Sequence, residues 1–413
     1  MFLGGFRHWV FRRYRNSCIR RHRLDYLFWE CTLRCNLNCR HCGSDCLKSS
    51  GIPDMPLADF LRVLDDIKAH GITRLAVCIT GGEPLLRNDI ERAGVEIVRR
   101  GYAWGIVTNG FALTAQRFKS LVAAGMSSMS FDLDGLEAEH SFLRRNPESF
   151  ARTTAAIRMA ADFMQRNPGR FLFDVITCVH PGNLSVLAKL RDFLIDLGVP
   201  AWRIFTIYPQ GRARDNSLAL SGAEYVRLMA FIAETRNYRT TDGRGIRLNY
   251  SCEGYLGDWE LKVRDHFFFC RAGISVASVL CDGSIGGCLS VRGSDFIQGN
   301  IYRDNFMDVW ENRFQDMRHR DWARRGVCRN SATGKSAWGT VCTSTRTKNP
   351  TCCTATMPAC TKSRTNAARR AGNWFYNHSI LYRGMLILLY FYLCLALIYG
   401  ICLSFKQQKF LSL

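Results

Sequence analysis

Between Asp25 and Ile207, six short β-rich runs alternate with amphipathic stretches, and this alternation constrains the fold more than any other feature of the chain. The runs are Tyr26–Glu30, Arg74–Thr80, Ala103–Val107, Ser127–Asp132, Phe171–Val179 and Arg203–Ile207. After the first, Leu57, Phe60, Leu61, Leu64 and Ile67 recur at helical spacing, with Pro56 at the start and Gly71 just past the end. Gly101, Gly125 and Gly198 occupy the same place behind later helical stretches. Strands joined by helical crossovers pair in parallel. The pattern therefore predicts an α/β chain whose residues 25–235 form a partial (β/α)6 barrel. Ligands of such sheets bind at the C-terminal ends of the strands.

Two motifs fall there. Behind the first run stands Cys35-Asn-Leu-Asn-Cys39-Arg-His-Cys42. Three thiolates at this spacing can converge on one iron–sulfur cluster, and three ligands for four irons leave one iron open. Zinc is the alternative, with Cys31 and Cys46 as flanking donors. The second run ends in Thr80-Gly81-Gly82-Glu83-Pro84. Here two glycines let backbone approach a ligand, and a carboxylate beside them can accept from an ammonium group.

Taken together, Cys35/Cys39/Cys42, Gly81–Pro84 and the alternating strands resemble the radical S-adenosylmethionine (SAM) superfamily over about residues 25–211. The resemblance implies an enzyme whose 4Fe-4S cluster binds SAM at its open iron. One electron then cleaves SAM to methionine and a 5′-deoxyadenosyl radical that abstracts hydrogen from substrate. It also implies SAM-binding roles for Gly81, Gly82, Glu83 and Pro84, and for Asn109 in Thr108-Asn109-Gly110. Ser130 in Ser130-Phe-Asp132-Leu-Asp134-Gly135 and Arg144 would hold SAM as well, the latter through its carboxylate.

Residues 236–330 are loop-rich and carry Cys252, Cys270, Cys281, Cys288 and Cys328. Cys270-Arg-Ala-Gly273, Asp282-Gly283, Cys288, Gly299-Asn-Ile301 and Met307-Asp-Val-Trp310 resemble a SPASM region. That implies an auxiliary 4Fe-4S cluster, with Cys252, Cys270, Cys288 and Cys328 as candidate ligands, and a peptide or protein substrate. A structural zinc site, in a non-catalytic binding module, is the competing reading. An electron donor such as a flavodoxin or ferredoxin is implied by the chemistry.

The family's dense cysteine run is expected after Cys328, and the chain loses it. Residues 322–413 hold thirteen Lys/Arg and no acid, and ten Thr lie between Thr333 and Thr365. An offset reading frame after Asn330 permits both the missing cysteines and the missing acids. Residues 331–384 are therefore expected to be out of frame, with a damaged product that keeps an intact barrel and no working second domain as an alternative reading of the chain. Met385–Phe405 has no charge over 21 residues, enough to span a bilayer. Residues 385–405 are accordingly a candidate transmembrane helix holding the body on the cytoplasmic face.

Net charge +21 invites a nucleic-acid reading, but the charge sits in the two ends. Residues 1–24 carry seven Arg and no acid, whereas 25–321 carry 36 Lys/Arg against 35 acids. The basic extension 1–24 mixes Phe6, Trp9, Val10, Phe11 and Tyr14 with its arginines, which suits contact with lipid or a solvated helix better than nucleic acid. Nineteen cysteines, with no continuous apolar leader in residues 1–24, predict a reducing cytoplasm.

Overall fold

The computed structural model describes residues 2–320, apart from 208, 216, 252, 253, 255, 290, 291 and 293. The expectations for Cys252, Cys328, the offset segment 331–384 and the apolar segment 385–405 lie outside the described residues. Among the described residues, no helix is long and apolar enough to cross a membrane.

All six expected strands form. They are β1 (Tyr26–Thr32), β2 (Ala76–Gly81), β3 (Ala103–Thr108), β4 (Met126–Asp132), β5 (Leu172–Val179) and β6 (Ala201–Thr206). Each pairs in parallel with the next. The helices between them are α2 (Leu57–Ala69), α3 (Ile90–Arg99), α4 (Ala115–Ala123), α5 (Glu137–Arg144), α6 (Ser149–Arg166) and α7 (Leu187–Asp196), preceded by α1 (Phe2–Arg21). On α2, Leu57, Phe60, Val63, Leu64 and Ile67 are buried, and the Phe60 ring stacks on Trp29 of β1 at 4.2 Å. Each such side chain contributes about 1.5–3 kcal/mol of gross burial free energy. The glycines expected at the helix ends, Gly71, Gly101, Gly125 and Gly198, all have positive φ.

The sheet curls. Strands lie about 4.8 Å apart, so β1 and β6 would be some 24 Å apart in a flat sheet. Instead, Arg212, just after β6, donates to the carbonyl of Cys39, just after β1, at 2.6 Å. Along β4 and β5, Met129, Phe131, Phe173 and Val175 are buried against the helices. Ser130, Asp132, Asp174 and Ile176 alternate with them on the inner face.

Beyond the six expected strands, residues 208–250 contain a helix, α8 (Gly222–Thr235), and a further strand, β7 (Arg247–Tyr250), parallel to β6. With four residues and Arg and Asn at alternate positions, its pattern is too short to register as a strand. Beyond α9 (Glu260–Val263), β8 (Val276–Val279) pairs in parallel with β1, on the side away from β2. A turn at Asp282–Gly283 leads into antiparallel β9 (Ser284–Gly286), and β10 (Gly299–Asn300) closes that edge. Two short helices follow, α10 (Phe306–Asn312) and α11 (Gln315–His319). The cysteine-rich region thus extends the barrel's own sheet.

Candidate functional site

The loop after β1 is folded back on itself. Arg34 and Leu47 form an isolated bridge, and the Cys35 N–H donates to the Leu47 carbonyl at 2.7 Å. Asp54 anchors the loop's entry by accepting from Thr32 Oγ1 and from the Arg34 guanidinium, each at 2.5 Å. Cys35 and Cys39 are buried and Cys42 is half-buried. Each sulfur faces an N–H donor. Cys35 Sγ accepts from the Leu37 N–H at 3.5 Å and from Asn109 Nδ2 at 3.8 Å. Cys39 Sγ accepts from the Arg144 guanidinium at 3.6 Å, and Cys42 Sγ from the Cys46 N–H at 3.4 Å. Burial pushes the Cys35 thiol up to about 12, so binding iron there must displace a proton. Donors aimed at sulfur favour the thiolate form that iron requires.

Of the two flanking cysteines, only Cys46 joins this group. Its thiol hydrogen-bonds Cys42 Sγ, which holds Cys42 down and pushes Cys46 up. Cys31 is buried on the other side of the strand end, near Arg87 and Cys281. A zinc site built from both flanks with the triplet does not form.

The glycines of Gly81–Pro84 serve a close approach, but to the protein itself. A Cβ on Gly81 would lie 2.2 Å from the Thr32 carbonyl oxygen, and one on Gly82 would lie 2.1 Å from that of Arg34. The Gly82 and Glu83 N–H groups donate to these same carbonyls at 2.7 and 2.9 Å. The end of β2 is thereby welded to the cysteine loop. Glu83 is fully buried and accepts from Leu85 N, Thr108 Oγ1 and Asn109 N at 3.1, 2.7 and 2.9 Å. The sequence reading aimed this carboxylate at a ligand's ammonium group; here it ties the ends of β2 and β3 together. Burial raises it to about 7 against the pull of those donors. Pro84 opens the short turn Pro84–Leu86 that follows.

Asn109, at the end of β3, also donates from Nδ2 to Asn36 Oδ1 at 2.8 Å. Arg144, at the end of α5, is buried and paired with Asp134, Nε at 2.7 Å and the terminal nitrogen at 2.6 Å. Its other terminal nitrogen meets Cys39 Sγ and, at 3.5 Å, Asp132. Its charge is therefore engaged by Asp134 and Asp132 in this structure. Ser130 sits deeper in the barrel. It donates to Asp174 Oδ1 at 2.6 Å and accepts from Arg203 at 2.9 Å.

One residue of the site, Arg212, carried no sequence signal. Arg212 clamps the loop through the Cys39 and Cys46 carbonyls and Asp45, from some 170 residues away, and no spacing rule connects them. Asp134 is positioned from all sides. Its N–H donates to His140 Nδ1, its Oδ1 accepts from Cys178 N, and its carbonyl accepts from Asn183. His41, Asp134 and Cys178 bring potential ligand atoms within 4.8 Å of one another. Both Asp134 oxygens are already taken, one by a guanidinium, so this trio forms a wall of the barrel mouth. Burial lowers His41 to about 4, leaving it a neutral ring there.

In the second cysteine region, Cys270 and Cys288 are half-buried against the main core, and Arg320 donates to the Cys270 carbonyl at 2.8 Å. Cys281 lies apart from an exposed ligand role. It is buried, its thiol donates to the Pro53 carbonyl at 3.4 Å, and its N–H donates to Glu30.

Residues 29–194 match the family profile "Radical SAM superfamily", and residues 270–330 match that of the SPASM "Iron-sulfur cluster-binding domain". The chain is 29% identical over 307 residues to the "AdoMet-dependent heme synthase" of Methanosarcina barkeri, covering 69% of this chain and 81% of that protein. It is 26% identical over 311 residues to the "Mycofactocin maturase MftC" of Mycobacterium ulcerans, covering 73% and 78%. Its fold is similar to that of Streptococcus suis SuiB bound to precursor peptide SuiA, with TM-score 0.60 at 17% identity over 78% of this chain and 74% of the other. It is also similar to anSMEcpe with bound AdoMet and Cp18Cys peptide, with TM-score 0.58 at 15% identity over 77% and 88%. With the barrel, the cysteine loop and the SPASM match in place, the chain belongs to the radical SAM superfamily and is a SPASM-bearing enzyme that uses a 4Fe-4S cluster and SAM.

Proposed function

We propose that Cys35, Cys39 and Cys42 hold the 4Fe-4S cluster and that the enzyme modifies a peptide or protein side chain. The observation that carries the cluster assignment is that each of these three sulfurs, on one loop, meets at least one N–H donor. When bound, the cluster and SAM supply a one-electron cleavage that yields a hydrogen-abstracting radical. The protein's own residues bind and orient. SAM would be held at the strand ends by Gly81, Gly82, Pro84 and Asn109, with Ser130 deeper in the barrel as a further contact. Glu83 and Arg144 act there as positioning residues, the first through Thr108 and Asn109, the second through Asp134 and Cys39. The closed wall of His41, Asp134 and Cys178 helps exclude water from the reacting end.

We assign residues 25–235 to the radical SAM core and 236–330 to the SPASM region. Cys270 and Cys288, with Cys252 and Cys328, are the proposed ligands of one auxiliary 4Fe-4S cluster. The similarity to SuiB, anSMEcpe and the mycofactocin maturase supports a peptide substrate. A flavodoxin or ferredoxin is the proposed electron donor, and the cytoplasm the proposed compartment. The similarity to heme synthases supports a second reading, a tetrapyrrole carboxylate substrate. Against it, Arg144 and Arg212 beside the cysteine loop and Arg203 deeper in the barrel are engaged by Asp134, Asp45 and Asp174 respectively.

The test is anaerobic reconstitution with iron and sulfide. Four to eight irons per chain, with reductive formation of 5′-deoxyadenosine, are expected; stoichiometric zinc without it would overturn the assignment. Incubation with peptides encoded beside the gene, in parallel with iron–porphyrin precursors, separates the two substrates by product mass.

A further inference from the structure

The N-terminal helix has two apolar faces, and the fold uses only one. The inner face is Phe11, Cys18 and Ile19, packed on Phe267, Phe269 and Ile274, with Phe11 5.1 Å from the Phe267 ring. Arg271 reinforces this seam, its guanidinium 4.0 Å from the Phe269 ring and bonded to Tyr14 Oη at 3.2 Å. These contacts hold α1 against the start of β8, at the opposite end of the strands from the cysteine loop.

On the outer face, Phe6, Trp9 and Val10 follow one another at helical spacing and are 58%, 47% and 45% exposed. Phe6 and Trp9 stack at 6.0 Å, and Arg13 lies over the Trp9 ring at 5.0 Å. With Tyr14 at the rim, four of the twelve large exposed hydrophobic residues among the described ones fall within nine positions of this one helix. Around them, residues 1–24 carry seven arginines and no acid. Arg13, Arg20, Arg21 and Arg23 are exposed.

We propose that the outer face of α1 docks on an anionic lipid bilayer, with Phe6, Trp9 and Val10 entering the interface and the arginines meeting the headgroups. Interfacial helices combine these two elements, apolar insertion and basic flanks. A nucleic acid would satisfy the arginines but leaves the apolar stripe without a partner. A second copy of the chain would satisfy the stripe but sets two arginine-rich, acid-free helices face to face. The contact is independent of the assignments in the catalytic site, and it leaves the barrel mouth at the far end of the strands open to substrate.

Full-length, cluster-loaded protein sedimented with vesicles of phosphatidylcholine, alone or with a third phosphatidylglycerol, tests this. About ten-fold or greater preference for the anionic vesicles is expected, with quenching of Trp9 fluorescence by brominated lipid. Combined Phe6→Glu, Trp9→Glu and Val10→Glu should reduce binding about ten-fold or more while SAM cleavage is unchanged. Should that variant fold poorly, Arg13→Gln with Arg20→Gln and Arg21→Gln keeps the apolar stripe and should remove the preference for anionic lipid. The apolar stretch Met385–Phe405 could also partition into lipid, but without charge preference and regardless of α1. Binding that survives both variants, or is equal on neutral vesicles, overturns the proposal. So does α1-dependent dimerisation without lipid, or binding to heparin in place of vesicles.

Discussion

The cysteine loop after β1 and the cysteine-rich region after β7 are both matched to iron–sulfur chemistry, yet they are ordered by different means. The first packs its three thiols into eight residues and is braced from the ends of β2, β3, α5 and β6 by the Glu83 N–H and by the side chains of Asn109, Arg144 and Arg212. The second spreads its candidate ligands from Cys252 to Cys328. Between them, among the described residues, lie strands of four, three and two residues, β8 to β10, and three short helices, α9 to α11. These clamps organise the first site before any metal arrives. The second has little local structure of its own, so metal and fold are expected to be more tightly linked there.

The most severe test is Cys39→Ala, which removes a proposed cluster ligand and one acceptor of Arg144. SAM cleavage should be abolished, not slowed. Cys46→Ala should retain the cluster and most cleavage, because Cys46 only donates to Cys42. Comparable 5′-deoxyadenosine yields from the two variants would sink the ligand assignment.

Arg144→Met leaves Asp134 buried without its cation, at a cost of about 3–5 kcal/mol. Urea denaturation of the apo protein should show that loss even where no cluster can form, as a braced scaffold requires. A loss below about 1 kcal/mol would mean that the pair is not truly desolvated.

Iron removal should split the two regions. After chelation, amides in β1 to β6 should keep their hydrogen-exchange protection, while those in residues 251–300 lose it. Uniform loss, or none, would erase the distinction drawn here.

Glu83→Gln should be milder. SAM affinity should fall about ten-fold, near 1.4 kcal/mol, with the cluster's visible absorption intact, since the change acts through Thr108 and Asn109. Because burial raises Glu83 to about 7, the folded chain holds this proton more tightly than the unfolded chain. The stability it contributes is full below the ordinary carboxyl value and is lost as pH rises from about 4.5 to about 7. Denaturation of wild type and Glu83→Gln at pH 5 and pH 8 should show a steeper fall in the wild type, the remainder in the variant coming from buried Asp132, which burial raises to about 6. The smallest effect belongs to Cys281→Ser, which should leave iron content unchanged.

Much of this architecture was legible because it is local. Strand–helix alternation and helix-end glycines gave six strands in parallel order, and Cys35-x3-Cys39-x2-Cys42 gave the loop. β7 was missed because Leu248 and Tyr250 alternate with Arg and Asn over only four residues. The protein partners of Glu83 and Arg144 were not legible for a different reason. Residue type shows that a carboxylate or guanidinium stands in a motif, but its partners come from other strands. Arg212 shows the same limit from the other side, since it acts on Cys39 and Cys46 from a loop that carries no motif.

One consequence of the β1–β8 pairing concerns the chain as it is made. Tyr26 pairs with Val276, 250 positions later. At about 5–20 residues per second, roughly 12–50 seconds separate their emergence from the ribosome. Throughout that interval the outer edge of β1 presents unpaired backbone groups, and the inner face of α1 waits for Phe267, Phe269 and Ile274. An unpaired, apolar strand edge is a template for association with neighbouring chains. A chain halted before residue 276 should therefore aggregate even though its six barrel strands are complete, and a nascent chain of this protein should depend on a chaperone for longer than its barrel alone would require.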